Sequence, residues 1–204
     1  MKIRNSVFYS LIAVLLFTSC ASSYKPIGPQ GLDYRNVSKK DGIDFSFKYE
    51  VLSLRGNKKY AKKEEKRDVD VVAVKITNNT SNALHFNKDL KIVSNGRELI
   101  PMEKDVVSKK IRQGVAIYLL YGLLTLQVGD CTPQNGCDTK IYPIGVPIAI
   151  GNMLVAGSAN GNFKNELEVY DLNNKIIEPG QTIHGILGFR SLEFGGMEVE
   201  LRNP

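Results

Sequence analysis

Side chains able to do covalent or acid–base chemistry are scarce in this 204-residue sequence, which holds three cysteines and two histidines. Cys131 and Cys137 have five residues between them and are bounded by Asp130 and Asp138. In an oxidising compartment such a pair is a disulfide by default. The seven-residue loop it closes is worth about 2–2.5 kcal/mol on the chain-entropy relation. A metal site is the lesser alternative: no His lies nearby, and the spacing has neither the short Cys pairs of zinc sites nor the closing Glu of a calcium loop. Redox exchange uses a tighter Cys pair. His85 and His184 fall on or beside strand patterns, where a hydrogen-bonded sheet histidine is the ordinary reading. Glu166 and Glu168 point apart on a helix, and Glu198 and Glu200 flank Val199 on an outer strand face. Neither a Gly-x-Ser-x-Gly elbow, nor a phosphate loop, nor a His-Glu-x-x-His helix occurs. The expectation is a protein that is not an enzyme, with no metal and no cofactor.

The third cysteine has a different context. Lys2 and Arg4 precede an apolar run from Val7 to Phe17, followed by Thr18-Ser19-Cys20. The basic start and a stretch too short for a permanent span describe an export signal. Small residues directly before a Cys resemble the lipobox of bacterial lipoproteins. The resemblance implies cleavage after residue 19, acylation of Cys20, and anchorage in a membrane of the cell envelope. Phe17 departs from the Leu usual at that position, and the alternative is an ordinary signal peptide with an incidental Cys. Ala21, rather than Asp, implies delivery to the outer membrane, facing the periplasm. Residues 20–40, with Pro26, Gly28, Pro29 and Gly31, read as a lipid-anchored tether that lifts the rest off the bilayer.

Several segments alternate apolar and polar residues as half-buried strands do. Phe45, Phe47, Tyr49 and Val51 mark one face; Val72, Val74 and Ile76 mark another. Leu84 with Phe86 suggests a short third strand. Leu90 to Ser94 and Arg97 to Met102 flank Asn95-Gly96, the strongest local hairpin signal. Thr182 to Phe189 follows Pro179-Gly180, and Met197, Val199 and Leu201 close the series. The pattern predicts a mainly β fold of about seven strands in a two-sheet sandwich. The run into Ile76-Thr77-Asn78-Asn79-Thr80 and the late Pro179-Gly180-Gln181-Thr182 resemble small Ig-like domains of exported lipoproteins. The sandwich is expected at 41–102 and 176–204. Lys58 to Arg67, with six bases and two acids, reads as a solvated loop; contact with anionic headgroups is the sharper alternative.

Residues 103–175 break the strand pattern. Gln113 to Gly129 and Ile141 to Phe163 carry no charged residue, with the Cys131–Cys137 loop between them, so a helical hairpin is expected. At about 100° per residue, Gly114, Tyr118, Tyr121, Gly122, Thr125 and Gly129 form a seam on the first arm. Gly145, Ala149, Asn152, Ala156 and Ala159 form one on the second. Seams of small residues let helices approach closely, which would leave a Leu/Ile surface outward. Packing within the protein or an oligomer, shallow insertion into the anchoring membrane, and a partner surface all remain open. Asn162 to Asp171 reads as a separate ordinary helix.

Composition excludes several classes. Hydrophobic residues at 43% and charged residues at 24% are those of a globular domain, not of a disordered chain, a collagen or a coiled coil. The net charge of +6, falling to +4 once Lys2 and Arg4 are removed, is too mild for nucleic acid. The expectation is a non-catalytic, lipid-anchored envelope module, binding the membrane through acylated Cys20 and meeting an envelope protein or itself through the hairpin. The alternative is a carrier of a small apolar ligand or lipid held between hairpin and sandwich.

Overall fold

A computed structural model describes residues 20–132, 136–190 and 195–202, with the side chains of Asn36 and of residues 130–139 outside the description. In chain order the elements begin with β1 (Asn36–Lys40), β2 (Ile43–Lys48), α1 (Val51–Leu54), α2 (Lys58–Arg67), β3 (Val69–Asn78) and β4 (Leu84–His85). Next come α3 (Phe86–Asp89), β5 (Leu90–Ser94), β6 (Arg97–Leu99), α4 (Lys104–Ile111), β7 (Leu126–Thr132), β8 (Gly136–Tyr142) and α5 (Gly145–Val169). The chain ends with β9 (Ile176–Ile177), β10 (Thr182–Arg190) and β11 (Met197–Leu201). Two compact units result. One, the apolar unit, is Gln113–Ala159 with the described end of Met1–Ser23; the other, the sheet unit, is Tyr24–Arg112 with Asn160–Pro204.

The sheet unit mixes helices with two small antiparallel sheets, of strand orders β1-β2-β3-β10 and β11-β5-β6, and a separate two-stranded pair, β4-β9, so it is not a plain seven-strand sandwich. Alternation decides which side chains face inward. Phe45 lies opposite Ile76 and Phe47 opposite Val74, while Leu187 lies opposite Val72 and Ile92 opposite Val199. All eight belong to one buried cluster, so both sheets feed a single core. The other face of β3 is also buried, at Val71 and Ala73, because α1, α2 and α4 pack against β3. The turn at Asn95-Gly96 has positive φ at both residues, 50° and 75°, as the Asn-Gly signal predicts for a two-residue hairpin.

Several expectations need correction. Lys58 to Arg67 is not a loop but α2, in which Tyr60 and Glu64 are buried. Their i, i+4 spacing puts both on one face, while the bases occupy the solvated remainder. The stretch 20–40 is not a tether: Tyr24, Ile27 and Pro29 are buried, and Asn36–Lys40 pairs with β2. The third strand stops at His85, and Phe86 begins α3. The helix read at Asn162 to Asp171 is the last part of α5, which runs unbroken over 25 residues. Pro147 sits in its first turn, where the missing N–H has no intrahelical partner to lose.

The helical hairpin is the largest correction. Residues Ala116–Leu123 form a 3₁₀-helix, and β7 pairs with β8 as an antiparallel hairpin through the segment read as the polar tip. Val128, Ile141 and Tyr142 are β-branched or aromatic and so suit a strand. Gly122 and Gly129 further disfavour a continuous α-helix.

Glycine lets β10 serve two packed layers. A Cβ on Gly185 would lie 2.4 Å from Leu172 and one on Gly188 would lie 2.3 Å from Val107 of α4. The two positions face opposite sides of the strand. Gly188→Ala is therefore expected to destabilise the chain by about 1–3 kcal/mol through overpacking, read as a lower urea midpoint at unchanged slope.

Candidate functional site

The residue immediately after the expected acylation site is held in place. Within the apolar unit, the Ala21 N–H donates to Asn152 Oδ1 at 2.6 Å. The Gln113 side chain brackets Ser22, accepting from its N–H at 3.2 Å and donating to its carbonyl at 2.6 Å. Gln113 is itself buried, so this two-point contact is shielded from competing water. Cys20 is exposed and close enough to act on the Tyr121 phenol. The pKa of that phenol is raised by desolvation first and then by Cys20 and Tyr118.

The seam residues divide by arm. On α5, Gly145, Ala149, Ala156 and Ala159 are buried and Asn152 is half-buried. Gly145 meets the first arm so closely that a Cβ there would sit 1.8 Å from the Tyr121 carbonyl oxygen, and its N–H donates to the Leu124 carbonyl at 2.8 Å. On the first arm only part of the seam is inward: Tyr118 is buried, Tyr121 and Gly122 are half-buried, and Gly114, Thr125 and Gly129 are exposed. The reason is that the helix is short and of another type: Gly114 and Thr125 lie outside Ala116–Leu123, and Gly129 lies in β7. A 3₁₀-helix has three residues per turn, so i and i+3 eclipse. Tyr118 and Tyr121 therefore share an edge, with rings stacked at 6.1 Å. Ile117, Leu120 and Leu123 share another, and all three are exposed.

The outcome is an unusual surface. Of the 20 large apolar side chains exposed among the described residues, 14 belong to Gln113–Ala159. Leu123 is 80% exposed and Leu154 69%. On α5 the exposed Val146, Ile150, Leu154 and Val155 occupy the arc that Gly145, Ala149 and Ala156 leave free. No helix among the described residues is long and apolar enough to cross a membrane.

Cys131 and Cys137 are directly opposite in the β7–β8 register; their side chains lie outside the described residues. No group of three or more metal-capable side chains occurs among the described residues. His85 ends β4. His184 lies in β10, its pKa lowered by burial first and then by Lys75.

The burial of two carboxylates, Glu166 and Glu64, escaped the sequence reading. In the sheet unit, Glu166 accepts from the Tyr24 hydroxyl and from the Ile27 and Gly28 N–H groups, the last two at 3.0 and 2.8 Å. Tyr24 packs edge-on against Tyr60 and Phe163, at 5.4 and 5.3 Å between centroids. Burial first, and Glu166 second, push its phenol far above the ordinary range. The buried pair Phe163 and Leu167 was visible in the periodicity; Glu166 between them was the signal that could have been followed, a charge on a buried arc.

Glu64 lines a cleft of about 610 Å³ with Tyr49, Glu50, Lys58, Lys62 and Asp70. It is 9% exposed and accepts the Val71 N–H at 2.8 Å. Desolvation raises its pKa to about 8, reinforced by Asp70 and Glu50 and opposed by the Val71 hydrogen bond. A perturbed carboxyl in a cleft is what acid–base sites contain, yet Glu64 Oε1 is committed to joining α2 to β3.

Comparison of the chain with protein-family models, with curated proteins and with solved structures finds no match.

Two outcomes follow from the carboxylates. Glu166→Ala strands two buried donors, the Tyr24 hydroxyl and the Ile27 N–H, each costing about 1–3 kcal/mol when unpaired, so a loss of at least about 2 kcal/mol is expected in chemical denaturation, with new protease cleavage near Ile27. For Glu64 the native pKa lies above the unfolded value. Its contribution is thus fully present below about pH 4.5 and is lost as the pH rises through about 8. Glu64→Gln keeps the acceptor and is expected to flatten that decline, raising Tm at pH 9 while leaving it nearly unchanged at pH 4.

Proposed function

We propose that this chain is a lipid-anchored module of the cell envelope that acts by binding and not by catalysis, through the apolar surface of residues 113–159. The observation that carries the reading is that concentration of exposed Ile, Leu and Val in the same compact unit as Cys20. Exposed apolar area on this scale marks an interaction surface in a folded protein. The reading places the protein at the outer membrane, facing the periplasm, with residues 1–19 removed. It takes the sheet unit as an Ig-like sandwich, because β1-β2-β3-β10 and β11-β5-β6 share one core. It also takes Cys131 and Cys137 as a cystine. Directly opposite residues on antiparallel strands have Cα atoms about 4.5 or 5.5 Å apart, and either separation suits a disulfide.

Cells expressing the full chain are expected to incorporate labelled fatty acid into it and to retain it in the membrane fraction. Cys20→Ala should abolish the label and lower the share of the protein retained in the membrane fraction. A labelled Cys20→Ala protein, or a native chain that keeps residues 1–19 and takes no label, would overturn the reading.

A further inference from the structure

We propose that the apolar surface of residues 113–159 is seated in the same bilayer that holds the acyl chains of Cys20, so that the unit is an interfacial wedge and not a surface for a protein partner. The inference rests on the anchored reading above and adds the occupant. Three observations support it.

The first is reach. Cys20 belongs to the same compact unit as residues 113–159, so the attachment point and the exposed apolar side chains are parts of one packed body. The second is restraint. Ala21 is bonded to Asn152 and Ser22 to Gln113, so the chain leaving Cys20 is fixed to the apolar unit and does not swing free of it. The third is composition. No charged residue occurs from Gln113 to Gly129 or from Ile141 to Phe163, so these segments bring no charge to desolvate on entering lipid.

Together these decide between occupants. An anchor in the bilayer keeps the Leu and Ile side chains within a few residues' reach of hydrocarbon, an intramolecular encounter at high effective concentration. A second copy or another protein must compete with that from solution. Neither α5 nor the 3₁₀-helix crosses the bilayer; each contributes a greasy arc of the kind that interfacial helices bury at the level of the headgroups and upper acyl chains. Anchorage by two signals is also firmer than by acyl chains alone.

The chain contains no Trp, so single reporters are unambiguous. Leu123→Trp and Leu154→Trp, at positions 80% and 69% exposed, are placed in the mature acylated protein and in the unacylated Cys20→Ala form. Each is mixed with phosphatidylcholine vesicles with or without brominated acyl chains. The expected result is blue-shifted emission quenched by the brominated lipid in the acylated protein. In the unacylated form, Leu123→Ser and Leu154→Ser should each weaken vesicle binding by about tenfold, the loss of one buried Leu. Acylated protein that is vesicle-bound but whose Trp emission stays water-like and unquenched would overturn the inference while leaving the anchor intact. Blue-shifted, unquenched emission with a dimeric sedimentation mass would also overturn it, assigning the surface to a second copy. Failure of the anchored reading shows separately, as absence of fatty-acid label in cells.

Discussion

A carboxylate removed from water must find donors within the protein, and Glu166 finds three of them in the segment between Tyr24 and Gly28. Unpaired, it would cost several kcal/mol; paired, it fixes the path of the chain just beyond Cys20. Other side chains follow the same path. Arg55 Nε donates to the Ile27 carbonyl at 2.7 Å, and the Asn57 amide bonds both backbone groups of Lys25, at 2.9 and 2.7 Å. Tyr24, Tyr60 and Phe163 fill the space beside them. The segment that composition marks as a spacer is thereby part of the sheet unit's fold.

That constraint changes the functional geometry. A Pro/Gly-rich spacer would hold a domain away from the bilayer and leave its surfaces to partners in the periplasm. On the anchored reading proposed above, a chain bonded to the apolar unit at Ala21 and Ser22 does the reverse for that unit, because the anchor's freedom relative to it ends within two residues. The exposed leucines of the apolar unit then cease to be an unexplained liability. They form the surface that the attachment point brings to lipid, on the reading proposed above. The small residues of α5 serve that arrangement: Gly145, Ala149 and Ala156 turn the slim side of the helix inward, and Val146, Ile150 and Leu154 are left outward.

Most long strands were legible because alternation is a local property of consecutive residues. Phe45 and Phe47, Val72 and Val74, and Leu187 and Phe189 face the core as their spacing implies. The failures share a physical origin. Helix α2 was hidden because six bases outweighed a two-residue buried face whose worth depends on what Tyr60 and Glu64 touch. The first arm of the apolar segment was placed on an α-helical wheel, while only Ala116–Leu123 is helical, with three residues per turn; Thr125 lies beyond it and Gly129 in β7, so neither joins the seam. The β7–β8 hairpin was hidden because the alternation along Leu126–Thr132 is short and was read together with the uncharged, Leu-rich stretch before it.

The sequence by itself determined the position of Cys20 after an apolar run, the alternating strands, the Asn95-Gly96 turn and the lack of charge in two long segments, all of which follow from residue type and spacing over a few positions. Only the tertiary structure decided that residues 24–30 are packed and not free, that Glu166 and Glu64 are buried, and that the tip holding Cys131 and Cys137 is a β-hairpin. Those outcomes depend on partners more than a hundred residues away in the case of Glu166, and desolvation is set by what surrounds a group in space. A window of neighbouring residues carries no record of that.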